Sequence, residues 1–189
     1  MMKRDACLKI LGECVAEDEI VVAAYTSAFE WIAIRTNPLN YISSGAMGLT
    51  SSHALGFALA WPDRRIILLD GDGSLLMNLG SLVTIAQAAP KNLVHFVCEN
   101  GTYEANGGHP IPGQGKVSFA GLAREAGYRE SHEFNDLNNC LWAVSVSDDD
   151  ATFQVANFGK AAIEGSTTTV PSLDHSNTKL YIDYIFLDT

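Results

Sequence analysis

Positive charge is scarce in this chain: 12 Lys plus Arg stand against 22 Asp plus Glu in 189 residues, a net charge of −10. That balance excludes the basic stripe with which proteins neutralise nucleic-acid phosphates. It does not exclude small anions, which one Lys or one helix end can hold. Long apolar runs are missing too. The longest, such as Ile66-Ile67-Leu68-Leu69, fall far short of the roughly 20 residues that cross a membrane as a helix. The first residues, Met-Met-Lys-Arg-Asp-Ala-Cys, lack a signal-peptide core, and acids follow at Glu13, Glu17, Asp18 and Glu19. A cytoplasmic protein with no membrane attachment is expected. The four cysteines, Cys7, Cys14, Cys98 and Cys140, make no C-x-x-C pair, which argues against an iron–sulfur centre. They are expected to be reduced and buried. Cys7 and Cys14, seven apart, fall on one helix face. Repeats and low-complexity blocks are also lacking.

What is present is an ordinary globular balance, 47% hydrophobic and 18% charged. A chain of this length buries a full core without disulfide or metal staples, and one domain over 1–189 is expected. Apolar positions Cys7, Leu8, Leu11, Cys14 and Val15 predict a helix over Arg4–Ala16, and Ile20–Ala24 reads as a buried strand. Ser27–Ile34 suits a helix stopped before Asn37-Pro38. The turn Ser43–Gly48 leads into a helix of small residues that ends near Trp61-Pro62. Arg65–Leu69 and Asn92–Cys98 are unbroken apolar runs, the mark of strands buried on both faces. Between them Leu75, Leu79, Leu82, Ala86 and Ala89 form one continuous helical stripe closed by Pro90. That length suits a parallel crossover. Glu99–Lys116 is a long Gly-, Pro- and Asn-rich loop. Phe119–Ala126 and Phe134–Val146 read as helices and Leu180–Leu187 as a last strand, with Ser147–Asn177 the least legible stretch. The expected class is α/β, three layers, a mainly parallel sheet with helices on both faces.

The two central strands end in Asp70-Gly71-Asp72-Gly73-Ser74 and Glu99-Asn100-Gly101. In open parallel sheets ligands bind at the carboxyl edge, so topology brings Asp72 and Asn100 together across 28 positions. A carboxylate, an amide oxygen and a backbone carbonyl are hard ligands suited to Mg²⁺, which seldom sits in an all-protein cage and usually carries phosphate oxygens. Gly71 and Gly73 permit close backbone approach, and the helix that follows offers free N–H groups to a phosphate. Two other phosphate motifs are incomplete. Leu76 stands where a dinucleotide fingerprint has its third Gly, and Gly115-Lys116 is followed by Val117 rather than Ser or Thr. Alone, Gly-Asp-Gly-Ser is a weak signal, because Asp-Gly is a common turn. With the helix, strand and Glu-Asn-Gly behind it, the signal is much stronger.

That combination resembles the cofactor motif of thiamine-diphosphate-dependent 2-oxo acid decarboxylases. The resemblance extends to the diphosphate-binding beta subunit of sulfopyruvate decarboxylases and the matching half of phosphonopyruvate decarboxylases. Further similar features are Gly45-Ala46-Met47-Gly48 before the small-residue helix, Ala89-Pro90-Lys91-Asn92-Leu93, and the pair Gly107-Gly108. The resemblance is clear over Gly45–Gly108, about a third of the chain. It implies Mg²⁺ bound by the side chains of Asp72 and Asn100 and the carbonyl of Thr102. It implies diphosphate contacts from Gly71, Gly73 and Ser74 and cofactor contacts from Gly45, Ala46, Met47 and Tyr103. Met47 is the implied apolar support that holds the cofactor bent, and the Gly45 carbonyl the partner of its aminopyrimidine. His109, in the Gly-rich loop, is the candidate that faces substrate; Lys116 is weaker. His53 is expected to pack rather than to act in catalysis, His95 to be a satisfied core histidine, and Asp148-Asp149-Asp150 to be solvated.

The chain departs from the family pattern at Glu99, where Asn or Asp is usual, at Ala46, at Tyr103–Asn106 and at His109-Pro110. These changes spare the cofactor motif and bear on substrate. The implied reaction is loss of carbon dioxide from a sulfopyruvate- or phosphonopyruvate-like 2-oxo acid. The activating Glu of the family comes from a pyrimidine-binding domain for which 189 residues leave no room. A separate alpha subunit is therefore the implied partner, in a hetero-oligomer, with a homo-oligomer for the isolated chain. Competing readings are a carboligase half-enzyme like acetolactate synthase, a non-catalytic thiamine-diphosphate-binding protein, and a nucleotide-binding regulatory domain.

Overall fold

The computed structural model describes residues 2–43, 45, 47–145 and 151–158. Ala46, the acid run Asp148–Asp150 and the strand expected over Leu180–Leu187 lie outside them. In chain order the elements are α1 (Arg4–Cys14), β1 (Ile20–Ala24), α2 (Tyr25–Ile34), β2 (Asn40–Ser43), α3 (Thr50–Ala60), β3 (Ile66–Gly71), α4 (Asp72–Leu76) and α5 (Gly80–Ala88). They continue with β4 (Leu93–Glu99), β5 (Thr102–Tyr103), β6 (His109–Pro110), α6 (Phe119–Ala126), β7 (Glu130–Phe134), α7 (Leu137–Ser145) and β8 (Thr152–Asn157). Six strands form one sheet in the order β2-β1-β3-β4-β8-β7, and every neighbouring pair is parallel.

Residues of β1, β3 and β4 alternate between two buried faces. On one face α1, α2 and α7 pack through Leu8, Leu11, Trp31 and Ala143 against Val21, Ile67, Leu69 and Phe96. On the other, α3, α5 and α6 pack through Ala54, Leu82, Ile85 and Ala123 against Val22, Leu68, Val97 and Phe153. This is the three-layer α/β arrangement expected, and it explains why the central strands carry no polar alternation. Among the described residues no helix is long and apolar enough to cross a membrane.

Four expectations need correction. The stripe from Leu75 to Ala89 is two helices, not one. The chain turns at Met77–Leu79 through i to i−3 bonds (Met77 N–H to Ser74 O, 3.1 Å; Asn78 N–H to Leu75 O, 3.0 Å), with poor helix formers at Asn78 and Gly80. The expected stop is kept: Ala89 takes a left-handed cap, φ 46°, and Pro90 follows. Cys14 is exposed rather than buried, because α1 ends there and the extended backbone hands the buried position to Val15. The helix expected from Phe134 begins at Leu137, and Phe134 closes strand β7. His95 is fully buried between Tyr128 and Phe153 as expected, yet only half satisfied. Its Nδ1 lies 3.1 Å from the Tyr128 hydroxyl, while its Nε2 is 3.7 Å from Asp70 Oδ2, too far for a hydrogen bond.

Candidate cofactor site

The register of β3 on β4 pairs Gly71 with Cys98, so both strands run out at the same edge. There the Asp72 carboxylate is buried, 2% exposed. Its Oδ2 accepts the N–H of Asn100 at 3.0 Å and of Gly101 at 2.6 Å, and its Oδ1 accepts its neighbour Gly73 N–H at 2.7 Å. Burial pushes its pKa up to about 6, against the pull of the three N–H groups and of Arg4. Asn100 Oδ1 accepts from the backbone N–H (2.8 Å) and hydroxyl (3.1 Å) of Thr102. Asp72, Asn100 and Thr102 thus form one buried cluster.

Close backbone approach shapes the rest. A Cβ on Gly73 would lie 2.6 Å from the Tyr103 ring, so Tyr103 covers the turn only because Gly73 has no side chain. Gly48, at φ 88°, would place a Cβ 2.9 Å from Met77, and its N–H donates to Ser74 Oγ at 3.2 Å. That bond ties the Gly45–Gly48 turn to α4. The Gly-rich loop is ordered by Ile111 N–H on Gly101 O (3.1 Å) and Gly108 N–H on Tyr103 O (3.0 Å). It carries the antiparallel pair β5–β6.

An open hollow lies over this cluster. Met47, Gly71, Asp72, Gly73, Ser74, Asn100, Thr102 and Tyr103 all line it. Gly45, His109 and Lys116 are exposed and are not among its lining residues. His53 packs edge-on against Tyr41, with Nδ1 3.4 Å from Ser43 Oγ.

Among the lining residues that sequence reasoning missed, Tyr25 and Arg4 stand out. Tyr25, the first residue of α2, has φ 43°, rare for a bulky residue and typical of strained functional positions. Arg4 is 5% exposed and ion-paired to Glu30 and Glu104. Burial works against its charge, and the bonds to the two carboxylates more than offset it, holding its pKa above the ordinary arginine value. The signal was available: Arg4, Leu8 and Leu11 share the i, i+4, i+7 stripe of α1, so a charged residue stands on the core face. At the end of β4, Glu99 is pushed up to about 7 by burial and by the charges of Glu133 and Asp72.

The donor set can be tested against Mg²⁺ and a diphosphate. It is all oxygen, as Mg²⁺ prefers. Among the described residues no group of three or more His, Cys, Asp or Glu is placed to hold a metal, so a cation here would complete its shell with amide and carbonyl oxygens, waters or a bound phosphate. The open space at Gly71, where a Cβ would meet nothing within 4 Å, leaves room for one. Because α4 has only five residues, it offers individual N–H groups rather than the end of the one long helix expected. The residues fit the pair of ligands.

Residues 22–144 match the family described as thiamine pyrophosphate enzyme, C-terminal TPP binding domain, and the chain belongs to that family. Within it the chain is similar to the sulfopyruvate decarboxylase subunit beta of Methanothermobacter thermautotrophicus, 38% identical over 73% of this chain and 74% of that protein. It is similar also to the phosphonopyruvate decarboxylase of Streptomyces viridochromogenes, 34% identical over 74% of this chain. The chain spans only 36% of the length of that second protein. The crystal structure of benzoylformate decarboxylase from Polynucleobacter necessarius shares the fold, with a TM-score of 0.69 at 18% identity, over 84% of this chain and 33% of that one.

Proposed function

We propose that this chain is the thiamine-diphosphate- and Mg²⁺-binding subunit of a cytoplasmic 2-oxo acid decarboxylase, with 1–189 as one diphosphate-binding domain. The observation that carries the reading is the buried convergence of Asp72, Asn100 and Thr102 at the ends of β3 and β4. Similarity to a beta subunit and to decarboxylases of two related substrates supports the activity. When bound, thiamine diphosphate supplies the carbon nucleophile and the electron sink for loss of carbon dioxide. The residues of this chain bind and orient. Asp72, Asn100 and the Thr102 carbonyl hold the cation. Gly71, Gly73 and Ser74 receive the diphosphate, and Tyr103 shields it. Met47 supports the bend of the cofactor, flanked by Gly45 and Ala46. His109, exposed beside Tyr103 on the β5–β6 pair, is the candidate that meets substrate.

The site is completed by a separate pyrimidine-binding subunit that supplies the activating Glu, and the working enzyme is a hetero-oligomer. The test is carbon dioxide release from sulfopyruvate and phosphonopyruvate by the chain alone and co-purified with a pyrimidine-binding subunit. Turnover only in the complex is expected. Full turnover by the lone chain would contradict the two-subunit reading. Binding of cofactor without turnover of any 2-oxo acid in the complex would contradict the decarboxylase reading.

A further inference from the structure

The most heavily bonded side chain near the site belongs to none of the cofactor positions. Arg4, the first residue of α1, donates from Nε and Nη2 to Glu30 Oε2 (2.8 Å) and Oε1 (2.6 Å) on α2. From Nη1 and Nη2 it donates to Glu104 Oε2 (2.6 Å) and Oε1 (3.1 Å), in the 3₁₀ turn Glu104–Asn106 that follows β5. Both pairs are bidentate, and four of the five guanidinium hydrogens are used. A guanidinium so occupied is not free to clamp an incoming anion.

Its effect runs through the partner. Glu104 Oε2 also accepts from Asn100 Nδ2 at 3.1 Å. An ionised carboxylate only accepts, so it fixes which end of the Asn100 amide faces it. With Nδ2 held there, Oδ1 must point the other way, to Thr102. Rotating the amide by half a turn would set oxygen against oxygen. We propose that Arg4 is a positioning residue that latches α1 and α2 to the cation loop, fixing the Asn100 oxygen through Glu104. The inference rests on the cofactor reading above, in which Asn100 is a ligand. A lysine cannot replace the arginine, having no planar fork to grip two carboxylates.

The test uses the full chain as wild type, Arg4→Met, Glu104→Ala, the double variant, and Leu8→Ala as a core control on the same helix. Two quantities are measured: hydrogen exchange of the Gly101 and Thr102 amides without metal, and the Mg²⁺ concentration needed for thiamine diphosphate binding by calorimetry. Arg4→Met and Glu104→Ala should each speed exchange at both amides. Each should raise the Mg²⁺ requirement about 10- to 100-fold, the usual effect of removing a group that orients a metal ligand. The double variant should be no worse than either single one, since both act on one connection. Leu8→Ala should lower thermal stability and leave loop exchange and Mg²⁺ requirement at the wild-type values. Unchanged exchange in Arg4→Met and Glu104→Ala, additive losses in the double variant, or an equal effect of Leu8→Ala would each overturn the proposal. The calorimetry is run with the pyrimidine-binding subunit present; if that wild-type complex binds no thiamine diphosphate at any Mg²⁺ concentration, the cofactor reading fails, and amide exchange alone still decides whether the latch exists.

Discussion

Two carboxyls dominate the electrostatics at the residue scale. Asp72 is raised to about 6 and Glu99 to about 7, both chiefly by burial. A carboxyl whose folded pKa lies above its unfolded value favours the folded state only while protonated. Its contribution to stability therefore falls as pH rises from the unfolded value to the folded one. The metal-free chain should lose stability between about pH 4 and about pH 7. Glu99→Gln should match wild type below about pH 4 and melt about 2 °C higher at about pH 8, a small gain because Glu99 is half-exposed. Identical melting curves across that range would contradict the assignment. Gly73 supplies a steric counterpart. In Gly73→Ala the methyl meets the Tyr103 ring at 2.6 Å, and overpacking of that kind costs about 1–3 kcal/mol. Urea unfolding should show the loss in Gly73→Ala and its recovery on adding Tyr103→Ala. Failure of the second change to help would place the strain elsewhere.

Legibility at the scale of elements followed burial. β1, β3 and β4 are apolar because helices cover both faces, so their runs are plain in the sequence, and so is the edge they share. The other strands hide for separate reasons. β7 is Glu-Ser-His-Glu-Phe at the rim of the sheet, where charge blocks edge-to-edge pairing. β2 has four residues. β8 is interior yet carries the fully buried Gln154, which breaks its apolar run. Likewise Asp72 and Asn100 were legible because strand ends place them, whereas Arg4, Glu30 and Glu104 meet only once α1 and α2 are docked. One long-range joint is open to test. The Asn92 amide donates to the carbonyls of Ala58 (3.2 Å), Trp61 (2.9 Å) and Arg64 (2.7 Å), tying the end of α3 and its following turn to the start of β4. Asn92→Ala leaves those acceptors without that donor, at about 1–3 kcal/mol, and should lower Tm by roughly 2–10 °C. A Tm equal to wild type would mean that water replaces the amide without loss.

At the scale of the molecule, the described residues form one parallel sheet covered by helices, with a buried oxygen cluster and an open hollow at its edge. The chain matches 74% of a decarboxylase beta subunit but 36% of a longer decarboxylase. On the reading proposed above, this chain holds the cofactor and a pyrimidine-binding subunit carries out the proton chemistry on the aminopyrimidine. At the centre of that reading, cofactor binding runs through Asp72 and a divalent cation. The direct measurement is calorimetric titration of thiamine diphosphate into wild type and Asp72→Ala, each with its pyrimidine-binding subunit, with Mg²⁺ and with chelator. Binding by wild type that is lost both on removing Mg²⁺ and in Asp72→Ala is the predicted result. Binding that persists unchanged in Asp72→Ala, or that needs no cation, would contradict the site built on Asp72 and Asn100.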